Sequence, residues 1–249
     1  MSGEEQVDKR VYGFLERVFP GMGWRPLWMT VCATWALVIY YHHGQPQAAP
    51  DWFLETGRRL TGIENASFLM HGWAHLSALA ILFIVPLGIC RLFIGLGPGA
   101  LGLRVRGAGR EFRLVFWMWL AFIPAIWLFS GTESFSQTYP RLTAAETDLE
   151  LFFLYQSFYL VKWASWEFFF RGFMLFGFMR DFGARAVLVS TIPFTLMHVG
   201  KPEVEMISAL PAGLILCFIA LRSKSIWPGV FLHSMVATTM DFFASSWWR

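Results

Sequence analysis

Four side chains in the second half of this chain have the types and spacing for proton-transfer chemistry: Glu167, Arg171, His198 and His233. Glu167 and Arg171 lie four residues apart in Ser165-Trp-Glu-Phe-Phe-Phe-Arg-Gly172, so on a helix they share a face and can pair. Ionisable groups inside an apolar run are costly in lipid, turn toward a bundle interior and mark candidate functional sites. A buried ion pair can equally be architectural. His198 closes Phe194-Thr-Leu-Met-His198, and His233 lies within Pro228-Gly-Val-Phe-Leu-His233-Ser-Met-Val-Ala237. At about 1.5 Å per helical residue, Glu167 is roughly 20 Å from Arg180, His198 roughly 20 Å from Arg185 and His233 roughly 13 Å from Lys224. A lone histidine on an apolar face is ordinarily a hydrogen-bonded core residue. Three titratable groups at one level of a bundle suggest more than that.

The elements that must position them are transmembrane helices. Of the 249 residues 56% are hydrophobic, 18% aromatic and only 15% charged, a composition beyond that of soluble domains. Apolar runs near the bilayer-spanning length fall at 26–41, 66–94, 112–130, 150–179, 184–199, 206–221 and 226–245. The reading is an all-α polytopic bundle of about seven spans with a polar cavity at membrane depth. Residues 1–25 form an N-terminal segment, 26–130 the first group of helices and 150–245 the core that carries the candidate site. Pro86, Pro124, Pro193 and Pro211 are tolerable within a bundle. Most Lys and Arg fall on one side of this arrangement, which predicts a multi-pass protein of a bacterial-type inner membrane with a cytoplasmic N-terminus and an outside C-terminus. The first 25 residues lack the apolar core and cleavage site of a secretory signal. Val11, Phe14, Leu15 and Val18 have the spacing of a short amphipathic helix on the membrane surface. Cys32, Cys90 and Cys217 sit in apolar runs without metal or disulfide spacing and read as packing residues.

The order Glu167-x-x-x-Arg171-Gly172, Phe194-x-x-x-His198, then Ser225-Ile-Trp-Pro-Gly leading to His233, resembles the CPBP (CAAX protease and bacteriocin-processing) family of intramembrane endopeptidases, over roughly residues 150–242. Leu101-Gly-Leu-Arg104 is a weaker echo of the same pattern. The resemblance implies a helical bundle with a water-accessible cavity that cleaves substrates near a membrane anchor. Glu167, Arg171, His198 and His233 match its motifs. Trp166 stands where the family has a first glutamate that is thought to activate water, and Ala237 stands where it has an asparagine. Asp241, one turn further on, is placed to supply the contact that Ala237 lacks.

These residues suggest hydrolysis of a peptide bond in a membrane-anchored or C-terminal-signal protein, with no nucleic-acid partner. Glu167 and His198 would activate water, His233 would serve as oxyanion donor or proton shuttle, and Arg171 would orient Glu167. A metal-free glutamate mechanism is favoured, although two His and a carboxylate also make a possible zinc set. Alternatives are an inactive bundle that binds clients or confers toxin immunity, and a His-ligated metal or haem protein built on His71 and His75, which share a face at i, i+4. As expected of interfacial groups, those two histidines would join Tyr40, Tyr41, Trp52 and Trp73 in an aromatic belt. Glu203 and Glu205 read as solvated loop carboxylates, with an approach to the cavity mouth as the alternative. Lys162 is a buried charge with Glu167 among its possible partners, and the 131–149 loop is net acidic.

Overall fold

The computed structural model describes residues 17–18 and 23–246. The amphipathic helix expected from Val11, Phe14, Leu15 and Val18 lies, but for Val18, outside the described residues. The remainder is an all-helical membrane bundle, with no strand among the described residues. Helix α1 is Trp24–His43, α2 is Asp51–Thr61, and α3 is Ala66–Ile94. Helix α4 is Gly109–Ser130, α5 runs continuously over 149–182, and α6 is Ala186–Leu196. Helix α7 is Glu203–Ser223 and α8 is Trp227–Ala244.

Each apolar run of the sequence coincides with a helix. Ala66–Ile94, Gly109–Ser130 and Glu203–Ser223 are long and apolar enough to cross a membrane by length and composition. The rest fall short for visible reasons: α6 has 11 residues, about 16 Å of rise, and α5 carries Lys162, Glu167 and Arg171 in mid-helix. Helix α2 was not among the expected elements. It is a short polar helix with Pro50 at its N-cap, Asp51 in its first turn, and Arg58 and Arg59 in its last, the polarity its dipole favours.

The central element is α5. It is α-helical over Leu149–Glu167, widens to a π-helix over Phe168–Phe176 and returns to α over Gly177–Phe182. π segments weaken the backbone ladder and are frequent at functional sites. Here one carbonyl of the widened stretch, Phe170 O, accepts a 2.7 Å bond from the Ser190 hydroxyl of α6. All residues from Phe168 to Leu175 are buried, so the aromatic run after Glu167 forms the centre of the core.

Two fixtures hold α5 in register with its neighbours. At one end Arg25 of α1 pairs with Asp181 at 2.9 Å and donates to Gly177 O at 2.8 Å. Nearby, the loop 101–103 is wedged between the π segment and the start of α8: Ile226 N donates to Gly102 O at 2.9 Å, and the Trp227 indole donates to Leu103 O at 3.3 Å. Gly102 sits at φ +75, where a Cβ would lie 2.5 Å from the Phe176 ring, so only glycine serves there. This is the Leu101-Gly-Leu-Arg104 echo seen in the sequence, and its role is to seat α8.

Gly172 packs against the same loop. A Cβ on it would stand 2.6 Å from the Phe168 ring and 3.0 Å from Leu101 O. Gly172→Ala therefore overpacks the core beside the site and is expected to cost about 1–3 kcal/mol, read as a lowered melting temperature of the purified protein.

Candidate active site

Glu167 is the last α-helical residue before the π segment of α5, and it is 0% exposed. Its Oε1 is 2.8 Å from His233 Nδ1 and 3.3 Å from Arg171 Nη1, while Oε2 has no hydrogen-bond partner. Room for the carboxylate comes from Gly229, one turn before His233 on α8: a Cβ there would sit 3.0 Å from Oε2.

Arg171 is fully buried as well. Its Nη2 donates to Gly213 O of α7 at 3.4 Å, and its guanidinium carbon lies 4.1 Å from the centre of the Phe194 ring. Cation–π contact and the carboxylate together offset the cost of burying the guanidinium. Phe194, on α6, thereby becomes the spacer of the site, since it also touches the rings of His198 at 4.7 Å and His233 at 6.0 Å between centroids.

The two imidazoles are held in the same protonation pattern. His198 Nδ1 is 2.8 Å from Phe194 O, a carbonyl that can only accept, so Nδ1 carries the proton and Nε2 is the lone-pair nitrogen. His233 Nδ1 faces a carboxylate ionised against Arg171, which fixes the same tautomer. The His233 ring is clamped further by Trp163, stacked on it at 4.0 Å and 27°.

Both histidines line a cavity of about 630 Å³. Its walls are mostly apolar, from Met118, Phe122 and Ile126 of α4 to Leu232 and Val236 of α8, and Tyr159 and Trp163 of α5 complete them. Glu167 and Arg171 are not on its surface. The four sequence candidates are thus gathered into one site, but in two layers. Glu167 does not line the cavity; its contact there is with His233, which does.

Trp166 and Ala237 lie where that layering leaves them little to do. The Trp166 indole packs against Tyr40 at 6.0 Å and Phe170 at 5.2 Å, away from the cavity lining, whereas Ala237 is part of the apolar wall. Asp241 does not replace the missing asparagine. It is 1% exposed and accepts from Arg141 N and Gln156 Nε2, both at 2.8 Å, tying the 131–148 loop and α5 to the end of α8.

Several other expectations are revised. Glu203 begins α7 and is exposed, but Glu205 is half-buried, accepts 2.7 Å from the Tyr139 hydroxyl, pairs with Lys201 and lines the cavity. It is a helix residue with two partners, not a solvated loop carboxylate. Burial, and after it the charge of Glu205, raise the pKa of the Tyr139 phenol well above its ordinary value, which keeps that hydroxyl a donor. Lys162 has no carboxylate partner among the described residues; its ammonium lies 5.3 Å from the Tyr159 ring centre and 5.7 Å from that of Trp163.

His71 and His75 pack against Tyr155 and Tyr159 of α5. His75 is 4% exposed and stacked on Tyr159 at 5.3 Å, and His71 Nδ1 donates to Ser67 O at 2.8 Å. Tyr40, too, is in the core, while Tyr41 and Trp52 are exposed as a belt requires. No three His, Cys, Asp or Glu side chains among the described residues are grouped to hold a metal ion. In particular, Glu167 faces the protonated edge of His233 rather than a point shared by both Nε2 atoms.

Trp163, Lys201 and Tyr139 were missed as cavity residues, whereas the approach of Glu203 and Glu205 to the cavity was the weaker of two sequence readings. Trp163 is four residues before Glu167, a spacing that could have singled it out.

The fold and these side chains define a helical membrane bundle with a buried carboxylate–imidazole pair at the wall of an apolar cavity. Residues 149–239 match the family model Rce1-like, described as Type II CAAX prenyl endopeptidase Rce1-like. That stretch carries Glu167, Arg171, His198 and His233, and over it the CPBP resemblance stands; the family is one of intramembrane proteases. Searches of curated proteins and of solved structures gave no match.

Proposed function

We propose that the protein is an intramembrane endopeptidase that hydrolyses a peptide bond in a membrane-anchored or C-terminal-signal protein, within a bacterial-type inner membrane and with its N-terminus in the cytoplasm. The observation that carries this reading is the 2.8 Å contact of Glu167 Oε1 with His233 Nδ1, at the wall of a cavity lined by His233 and His198.

In this mechanism His233 Nε2 takes the proton from a water as its oxygen attacks the scissile carbonyl carbon. Glu167 holds the required tautomer and stabilises the imidazolium that forms, the division of labour of a carboxylate–histidine pair. Arg171 keeps the carboxylate ionised and in place. His198 Nε2, also a lone pair, accepts the second water hydrogen and orients the nucleophile. Collapse of the intermediate breaks the C–N bond, and the His233 imidazolium returns its proton to the leaving nitrogen. The apolar walls exclude bulk water and suit an apolar flank of the substrate, in keeping with the endopeptidase description of the matching family.

The test is purified protein in proteoliposomes with a library of membrane-anchored peptides, analysed by mass spectrometry in oxygen-18 water. The wild type is expected to release peptides with one labelled oxygen in the new carboxyl group, and His233→Gln to lower turnover by about 10²–10⁴-fold, the usual worth of a general base. No labelled release above protein-free vesicles would rule out the peptidase and leave a client-binding bundle, and equal labelled release by both proteins would rule out His233 as the base.

A further inference from the structure

The histidines of the site as described offer two proton acceptors to the substrate and no charged donor. Hydrolysis of an amide puts negative charge on the carbonyl oxygen, and a preorganised donor for it is usually a large part of the rate. With both imidazoles neutral, their Nδ1 hydrogens are committed to Glu167 and to Phe194 O, so neither can serve. Among the hydroxyls on the cavity, Tyr139 donates to Glu205, Thr132 to Phe129 O and Ser208 to Glu205 O, which leaves those of Tyr159 and Ser134 as uncharged donors. The Trp163 indole N–H has no partner, but it is uncharged.

One charged donor remains on the cavity wall. Lys201 lies three residues after His198 on the turn that joins α6 to α7, and its backbone N–H donates to His198 O at 3.2 Å. Gly200 makes that turn possible at φ +88. The ammonium is held by Glu205 Oε1, and Glu205 is itself gripped at Oε2 by the Tyr139 hydroxyl of the 131–148 loop at 2.7 Å. All three side chains line the same cavity as His198 and His233. An ammonium has three hydrogens, and Glu205 uses one. The Lys201 and Glu205 side chains are only 26% and 15% exposed, so the remaining donors act in a poorly screened setting.

We propose that Lys201 is the oxyanion-binding residue of this site, with Glu205 and Tyr139 as its positioning residues. The assignment deepens the peptidase reading above and rests on it for its chemistry. As the water oxygen bonds to the carbonyl carbon and His233 Nε2 takes the water proton, the carbonyl π pair moves onto oxygen. Lys201 donates hydrogen bonds to that oxyanion without losing a proton. When the pair returns and the C–N bond breaks, the leaving nitrogen receives the proton from His233. One water and one amide become a carboxylic acid and an amine, with nothing left over. The arrangement also accounts for a site with Ala237 in place of a polar residue beside His233: the donor comes from the turn after α6 instead of from α8.

A binding experiment tests the assignment whether or not a cleavable peptide is in hand. The probes are dodecylphosphonic acid monomethyl ester, a tetrahedral monoanion on an apolar tail, and neutral dodecanamide. The wild type in neutral detergent is expected to bind the anion at least tenfold more tightly than the amide, Lys201→Arg to keep most of that preference, and Lys201→Met to lose it. Equal affinities in the wild type, or a preference that survives Lys201→Met, would overturn the assignment. Where the library above yields a substrate, Lys201→Met is expected to lower kcat by about 10²-fold with KM within threefold, the effect of removing one oxyanion donor. An active wild type with an unimpaired Lys201→Met overturns this inference alone. A wild type that discriminates the anion through Lys201 yet cleaves nothing overturns the peptidase reading alone.

Discussion

Glu167→Gln is expected to abolish most peptide release, lowering kcat by about 10³–10⁴-fold while the protein still assembles in the membrane. The substitution changes one oxygen to an amide nitrogen in a place that is 0% exposed. A carboxylate can only accept from His233 Nδ1, whereas an amide can turn its NH₂ toward that nitrogen and force the proton to Nε2. The face of His233 on the cavity would then offer a hydrogen where the reaction needs a lone pair. The loss of negative charge also removes what stabilises the imidazolium. His198 remains as a second acceptor, so residual activity is expected to depend on it, and Glu167→Gln combined with His198→Gln should fall further. The measurement is kcat on the best-cleaved library peptide in proteoliposomes.

Arg171→Met carries the largest expected cost in stability, about 3–5 kcal/mol, because it leaves the Glu167 carboxylate buried with an imidazole as its only remaining hydrogen-bond partner. The guanidinium also gives up its bond to Gly213 O and its place over Phe194, so α5, α6 and α7 lose a common tie. Thermal unfolding in detergent measures this. The informative comparison is the double variant Arg171→Met with Glu167→Gln, in which no unpaired ion remains. If the single change acts through the stranded charge, the double variant is expected to regain a substantial part of the loss, since neutral replacements of buried pairs are often well tolerated. If the double variant is no more stable than Arg171→Met, the residue acts through packing alone.

The sequence was most legible where one element suffices. Apolar runs located the helices because burying backbone in lipid demands continuous helix, and α5 remains unbroken from 149 to 182 despite its charges. The pairing of Glu167 with Arg171 followed from i, i+4 spacing, and equal depth on three helices was enough to bring His198 and His233 to the same site. What depth could not supply was rotation about each helix axis. Glu167 contacts His233 without lining the cavity itself, Trp166 packs on Tyr40, and α8 approaches Glu167 closely at Gly229. Contacts across long stretches of chain were also out of reach. Asp241 is taken up by the backbone of Arg141, 100 residues away, and Glu205 is drawn into the cavity wall by Tyr139, 66 residues away. Periodicity within α7 and α8 gives no sign of either partner, and a carboxylate beside Gly200-Lys-Pro looks like loop chemistry until α7 is seen to begin at Glu203.

These tertiary contacts are also what turn a set of motif matches into a chemical arrangement. The 131–148 loop reaches α8 through Asp241 and the cavity mouth through Tyr139, so it fixes the donor side of the site while α5, α6 and α8 fix the acceptor side. Phe194 touches Arg171, His198 and His233.

The most direct test of the account is the tautomer of His233, read by nitrogen-15 NMR of protein labelled at histidine, with His233→Gln to assign the signals. The account predicts a protonated Nδ1 and a bare Nε2 near neutral pH, with that pattern lost in Glu167→Gln. A wild-type ring carrying its proton on Nε2 would contradict it, because the cavity would then face no base backed by Glu167.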